Sequence, residues 1–251
     1  MRGLIPLLKK EITGQLRTYK LVIVGGIFLF FGITTPFLLK YMPEILKLAG
    51  EGMVIELPPP TAVQSLAEYA STIGQVGLLL AVLMAMGSIS GEIKSGTAIM
   101  TLSKPVSRSS FVGAKMIALS LNFLLSLVVA SIASFAYTVW LIEGAGVTTY
   151  IGLNLLLAVF LMFCLALTIF CSSLFRSSLA AGGLAIAILI SQAALSALPV
   201  IGDYMPGKLM GWGVNLISSN PDSYWGALAV TAVLTLALLY FAQKVLRLKD
   251  L

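Results

Sequence analysis

The sequence predicts an all-α integral membrane protein: six transmembrane helices, an amphipathic helix ahead of them in the membrane interface, and both termini on the cytoplasmic side. Three observations carry this expectation. Of 251 residues, 59% are hydrophobic and 10% charged, against roughly 45–50% and 25% in soluble domains. A chain so poor in charge cannot clothe a soluble core. The charges are also confined to short clusters, leaving six windows free of Asp, Glu, Lys and Arg: 21–39, 69–91, 116–142, 144–175, 177–202 and 223–243. Each window reaches the ~20 residues that a helix needs to cross the hydrocarbon core. Finally, the basic residues are distributed unevenly between the connecting segments. With the N-terminus inside, 13 of the 16 lysines and arginines fall on the cytoplasmic side, and only Lys40, Lys47 and Lys208 fall outside. That bias fixes the orientation by the positive-inside rule, and six spans return the C-terminus to the cytoplasm. The protein is therefore expected to be a multi-pass protein of the cell (cytoplasmic) membrane.

Residues 1–20 form the first unit. Leu4, Leu8, Ile12, Leu16 and Tyr19 recur at helical spacing, while Lys9, Lys10, Arg17 and Lys20 fall on other faces. This pattern predicts a helix lying in the interface with its apolar side down; a loose basic tail is the alternative. Residues 21–251 form one six-span domain. The first span is too long for the apolar region of a cleavable signal peptide and is expected to be retained. Pro36 marks a kink near its outer end. The segment from Lys40 to about Ala62 is expected outside the membrane and poorly helical in its second half, where Pro58, Pro59 and Pro60 follow one another. The connections at 143–146 and 175–177 are short enough to make their flanking spans antiparallel neighbours.

Chemistry is sparse. There is no histidine, and the two cysteines, Cys164 and Cys171, lie seven positions apart in one apolar run. On a helix that spacing separates them by about 10 Å, too far for a disulfide. No catalytic residue and no metal site is expected. The net charge of +6 belongs to residues flanking apolar runs, so membrane-surface chemistry is expected rather than nucleic acid. Asn122, Asn154, Gln75 and Gln192 lie within the windows, either bonding between helices or lining a pore. The pairs Ser126 with Ala130, Gly183 with Ala187 and Ala193 with Ala197 have the spacing of close helix packing, within the chain or between two copies.

The segment 91–115, GEIKSGTAIMTLSKPVSRSSFVGAK, is the sizeable cytoplasmic loop. Gly91 and Gly96 with Thr97 mimic a phosphate-binding loop, but Thr97 stands where its lysine is required and no buried strand precedes it. Nucleotide is not expected to bind there. Glu92 can pair with a basic group or cap a helix, and Gly96 permits a sharp change of direction. Ile93, Ile99, Met100 and Leu102 can offer an apolar knob to a partner. Pro105 would end a short helix before Arg108 and Lys115 meet lipid headgroups. The plainer reading is a solvated loop that only sets topology.

In order, spacing and position, Gly91-Glu92, Gly96-Thr97, Ile99 with Leu102, Pro105, Ser107-Arg108 and Lys115 resemble the cytoplasmic loop of type 2 ABC transporter permeases. Thr101 departs from a leucine common there. The resemblance extends in outline over the whole chain. It implies the membrane subunit of an ABC exporter whose loop forms short helices that dock onto a separate ATPase, with ATP and Mg bound by that partner. It also implies a second copy, or a similar permease chain, as partner. The segment 198–222, with Pro199, Pro206 and Trp212, cannot be one straight span. It resembles the external re-entrant helices that close the path in that family; an interfacial loop anchored by Trp212 and Tyr204 is the alternative.

Readings from other classes are a channel, a secondary transporter and an intramembrane enzyme. A coupled transporter usually places a titratable group within the membrane, and the windows hold no carboxylate or histidine. An enzyme needs an in-membrane acid pair, a nucleophile with its base, or metal ligands. No residue selects a substrate, although uncharged spans favour an amphipathic or apolar cargo over a bare ion.

Overall fold

A computed structural model of the chain describes residues 3–49, 59–103, 106–142, 144, 146–218 and 222–249. Among these residues all regular structure is helical, without a strand. The helices are α1 (Leu4–Arg17), α2 (Lys20–Ala49), α3 (Ala62–Ala85), α4 (Ser90–Lys94), α5 (Thr97–Leu102), α6 (Arg108–Leu141), α7 (Val147–Leu174), α8 (Ser178–Leu195), α9 (Lys208–Ile217) and α10 (Trp225–Leu248). Six of them, α2, α3 continued by α4, α6, α7, α8 and α10, are long and apolar enough to cross a membrane. Each corresponds to one charge-free window of the sequence.

The centre is α7. Leu153, Leu157, Leu161, Leu165 and Ile169 are almost wholly buried, and α3, α6, α8, α9 and α10 all pack against this helix. It is the most thoroughly apolar span, as a helix enclosed on all sides should be. Its most apolar stretch is 72% buried, against 22% for α8 and 17% for α10, which lie at the periphery.

The span α2 runs along α6. A Cβ at Gly32 would lie 2.8 Å from the backbone oxygen of Ala130, and one at Gly25 would lie 3.5 Å from the Ser126 hydroxyl. The Ser126/Ala130 spacing is thus an intramolecular packing face. Gly183, Ala187, Ala193 and Ala197 instead lie exposed. The helix α2 continues through Pro36 and Pro43 to Ala49, so the first half of the following segment is helical. Pro59 to Thr61 are not. Pro58 lies outside the described residues. The Thr61 hydroxyl accepts from the Gln64 N–H at 3.3 Å and starts α3.

Helix α1 corrects part of the expected apolar row. Leu4 and Leu8 pack on the core beside buried Leu7, and Ile12 is half-buried, but Leu16 is exposed. Tyr19 lies beyond the helix, at φ 56°, 68% exposed, where the chain turns into α2. The reason is geometric. At 3.6 residues per turn an i, i+4 row drifts about 40° per step, so Leu4 and Leu16 stand about 120° apart. The face that meets α6 holds Leu7, Glu11 and Gln15.

The polar residues of the spans mostly bond to neighbours. Asn122 donates to Gln15 at 2.8 Å, Asn154 accepts from the Tyr69 hydroxyl at 3.1 Å, and Gln75 donates to Ser71 at 3.1 Å. Gln75 and Gln192 also line a cleft of about 330 Å³ between α3, α8 and α9.

Candidate coupling site

The bundle has two dissimilar ends. One gathers α1, α4, α5, the start of α6 and the end of α10, and is rich in lysine and arginine; we term it the basic end. The other, the far end, carries the segment between α8 and α10.

At the basic end α3 passes through a turn into α4. The break is held by Ser172 of α7, whose hydroxyl accepts from the Ile89 and Ser90 N–H groups at 3.1 and 3.0 Å and donates to the Met86 carbonyl at 2.8 Å. Gly96, at φ 74°, then reverses the chain into α5. No heavy atom lies within 4 Å of where its Cβ would be, so the requirement is conformational and not steric. The Thr97 hydroxyl bonds with that of Ser95 at 2.9 Å, closing the elbow. Thr101 donates to the Thr97 carbonyl within α5.

The expected apolar knob is divided between two faces. Ala98 is fully buried and Ile93 packs inward against the core, whereas Ile99 and Met100 stand 51% and 72% exposed. Such exposure of two adjacent large apolar side chains at the tip of a polar elbow suits a contact with another protein. The Leu102 side chain and Pro105 lie outside the described residues.

Beneath the elbow is an ion cluster that ties together three elements distant in sequence. Lys115 of α6 lies 2.9 Å from Glu92 of α4 and 2.9 Å from Glu11 of α1, and Lys10 approaches Glu92 at 3.2 Å. The Lys115 side chain is 3% exposed, and its ammonium sits 4.9 Å from the centre of the Phe111 ring. This overturns the assignment of Lys115 to lipid headgroups: two carboxylates and an aromatic face take the place of water around it. Arg108 departs from the same assignment, because its guanidinium donates to the Leu246 carbonyl at the end of α10. Cations suit that position, where helix carbonyls are unpaired. Lys249 does the same for α7, donating to the Ser173 and Leu174 carbonyls at 2.7 and 3.0 Å. Burial, with Arg176 nearby, holds the pKa of Lys249 below its ordinary value.

At the far end, turns follow α8, and Val200 adopts φ 69°. A short 3₁₀ turn at Gly202–Tyr204 leads into α9, which packs on α7, α3 and α10. Trp212 is 5% exposed and meets Trp225 of α10 edge-on, ring centres 5.0 Å apart. It is thus a packing residue within the bundle, not the interfacial anchor of the alternative reading. Pro206 is buried and Pro199 exposed. A Cβ at Gly74 of α3 would fall 2.1 Å from the Met210 methyl, so the end of the Met210 side chain rests directly on this glycine.

Sequence reasoning named Glu92, Gly96, Thr97 and Arg108 but missed Glu11, Lys10 and Ser172 as structural partners. The signal for Glu11 was a carboxylate on an otherwise basic helix. Ser172 left no comparable mark among the many serines.

These features define a polytopic helical membrane protein with a two-helix elbow at one end and a segment folded back into the bundle at the other. The chain belongs to the ABC-2 family of transporter proteins, whose family model matches residues 5–241. It is also similar to YxlG of Bacillus subtilis (strain 168), an uncharacterized transmembrane protein, with 25% identity over 214 residues, covering 83% of each chain. The chain is therefore a membrane-spanning permease component of an ABC-type transporter.

Proposed function

We propose that this chain is the permease subunit of an ABC exporter of the cytoplasmic membrane, with the basic end and both termini facing the cytoplasm. The orientation rests on the lysine and arginine bias. Two copies, or one with a similar permease chain, assemble with two separate ATPase subunits that bind ATP and Mg. The exposed small residues of the little-buried α8 are available for a second copy.

The observation that carries this reading is the α4–α5 elbow, which exposes Ile99 and Met100 while Glu92 at its base is pinned to α6 and α1. A push on the elbow would reach α6 through Lys115, and α10 through Arg108. Trp225 of α10 packs against Trp212 of α9, which supports a link from the elbow to the far end; in this reading α9 closes the translocation path from outside.

Co-purification from native membranes tests the proposal. An ATPase subunit should accompany the chain, and the chain alone should hydrolyse no ATP; recovery of a lone, fully functional protein would refute the reading and favour a channel.

A further inference from the structure

A cleft of about 200 Å³ opens where α1, the start of α2 and α6 meet. Ile12 and Leu16 of α1, Leu21 of α2, and Leu121 and Leu125 of α6 give it apolar walls; Gln15 and Asn122 are its polar residues. Gln15 is 9% exposed, and its amide oxygen accepts from Asn122 at 2.8 Å. Its NH2 group meets no acceptor among the described residues. An open amide donor on a residue that is itself nine-tenths buried, at the wall of an apolar cleft, is suited to an oxygen-bearing ligand with a hydrocarbon body.

Basic residues that neighbour the cleft's lining along the chain, without themselves lining it, narrow the choice. Lys9 lies one helical turn before Ile12, Arg17 adjoins Leu16, and Lys20 adjoins Leu21. None of the three forms an ion pair among the described residues, whereas the nearby Glu11 is engaged by Lys115. We propose that this cleft binds a membrane phospholipid with an anionic headgroup: its acyl chain lies along the Leu121/Leu125 wall, its ester or phosphate oxygen accepts from Gln15, and its charge is met by Lys9, Arg17 and Lys20. Basic residues beside an apolar interfacial surface attract such headgroups. The ligand would hold α1 on α6 and so support the Glu11–Lys115 contact. Only the choice of leaflet rests on the proposed orientation, and the site itself needs no ATPase partner.

Native mass spectrometry of the full chain, purified with any accompanying subunits, tests this by adding phosphatidylglycerol or phosphatidylcholine with identical acyl chains. Wild type should retain phosphatidylglycerol at least about tenfold better, since each basic residue near an anionic headgroup contributes up to several-fold. The triple variant Lys9→Gln, Arg17→Gln, Lys20→Gln, altered only at polar positions, should lose that preference. Leu125→Trp, at an exposed wall position, should fill the cleft and reduce phosphatidylglycerol retention to a similar degree. Equal retention of both lipids by wild type would overturn the proposal. So would full retention by the triple variant, which would exclude headgroup recognition, or full retention by Leu125→Trp, which would place binding outside the cleft. Because the assay reads lipid alone, its failure leaves the permease reading intact.

Discussion

The two ends of this bundle are held by opposite means. At the basic end, helices are joined by a buried cation between two carboxylates and by side chains donating to helix carbonyls. At the far end, α9 is held mainly by shape, with Trp212 against Trp225 and Met210 over Gly74. A charged contact at that end, Lys208 with Asp203 at 3.3 Å, is partly exposed, the lysine 32% and the aspartate 55%. An ion cluster has discrete arrangements and can change partners under load, whereas packing resists gradual displacement. On the proposed function, the basic end receives the signal of the ATPase and the far end responds to it as a unit.

The sharpest way to break this contrast is Lys115→Met. It leaves Glu11 without its cation and Glu92 with the half-exposed Lys10 alone. This should cost about 2–3 kcal/mol, below the full cost of a broken buried pair because both carboxylates keep some solvent, read as a lowered midpoint of thermal unfolding in lipid or detergent. Adding Glu11→Gln and Glu92→Gln should recover most of the loss, since the uncompensated charge is then gone. Lys10→Ala, which removes the half-exposed partner of Glu92, should cost less than about 1 kcal/mol by the same measurement.

At the far end, Gly202→Ala places a Cβ 2.5 Å from the Ser196 carbonyl oxygen. This backbone clash should cost about 1–3 kcal/mol and release the turn before α9, seen as faster proteolysis within 196–207. Trp212→Phe keeps a ring against Trp225 and should be nearly neutral, while Trp212→Ala forfeits the aromatic pair, about 1 kcal/mol beyond the loss of packing.

A modest, purely conformational effect is expected at Gly96. Replacement by Ala meets no atom and carries only the left-handed backbone strain of about 1–2 kcal/mol. Gly96→Trp adds bulk directed away from the chain's own atoms, so it should impair coupling to a partner while insertion stays normal. Glu92→Ala differs, because Glu92 supports a buried lysine and its loss disturbs the fold as well as coupling. Glu92→Gln is the better probe.

The difference between the ends also explains what was legible in the sequence. A span is a property of one contiguous run, so six charge-free windows suffice to place six helices. The elbow was legible too, through Gly96 and the motif around it. The ion cluster was not, since Glu92 lies 82 positions from Lys10, and Lys115 lies 104 from Glu11. Residue type alone assigns a lysine beside a span to headgroups; only tertiary packing brings carboxylates to it. Trp212 was ambiguous for the same reason, because an aromatic residue near a span end can face lipid or a partner helix until Trp225 is seen opposite.

The central claim is that the α4–α5 elbow, and not the far end, contacts the ATPase. Site-specific cross-linking in native membranes tests it directly, with single cysteines introduced as Met100→Cys and, at the far end, Val200→Cys. Both positions are more than 70% exposed, and the natural Cys164 and Cys171 are buried. The account predicts that Met100→Cys cross-links to an ATPase subunit with a yield that changes with bound nucleotide, and that Val200→Cys does not. No adduct at position 100 in membranes that contain the assembled complex, or an equal adduct at position 200, would contradict it.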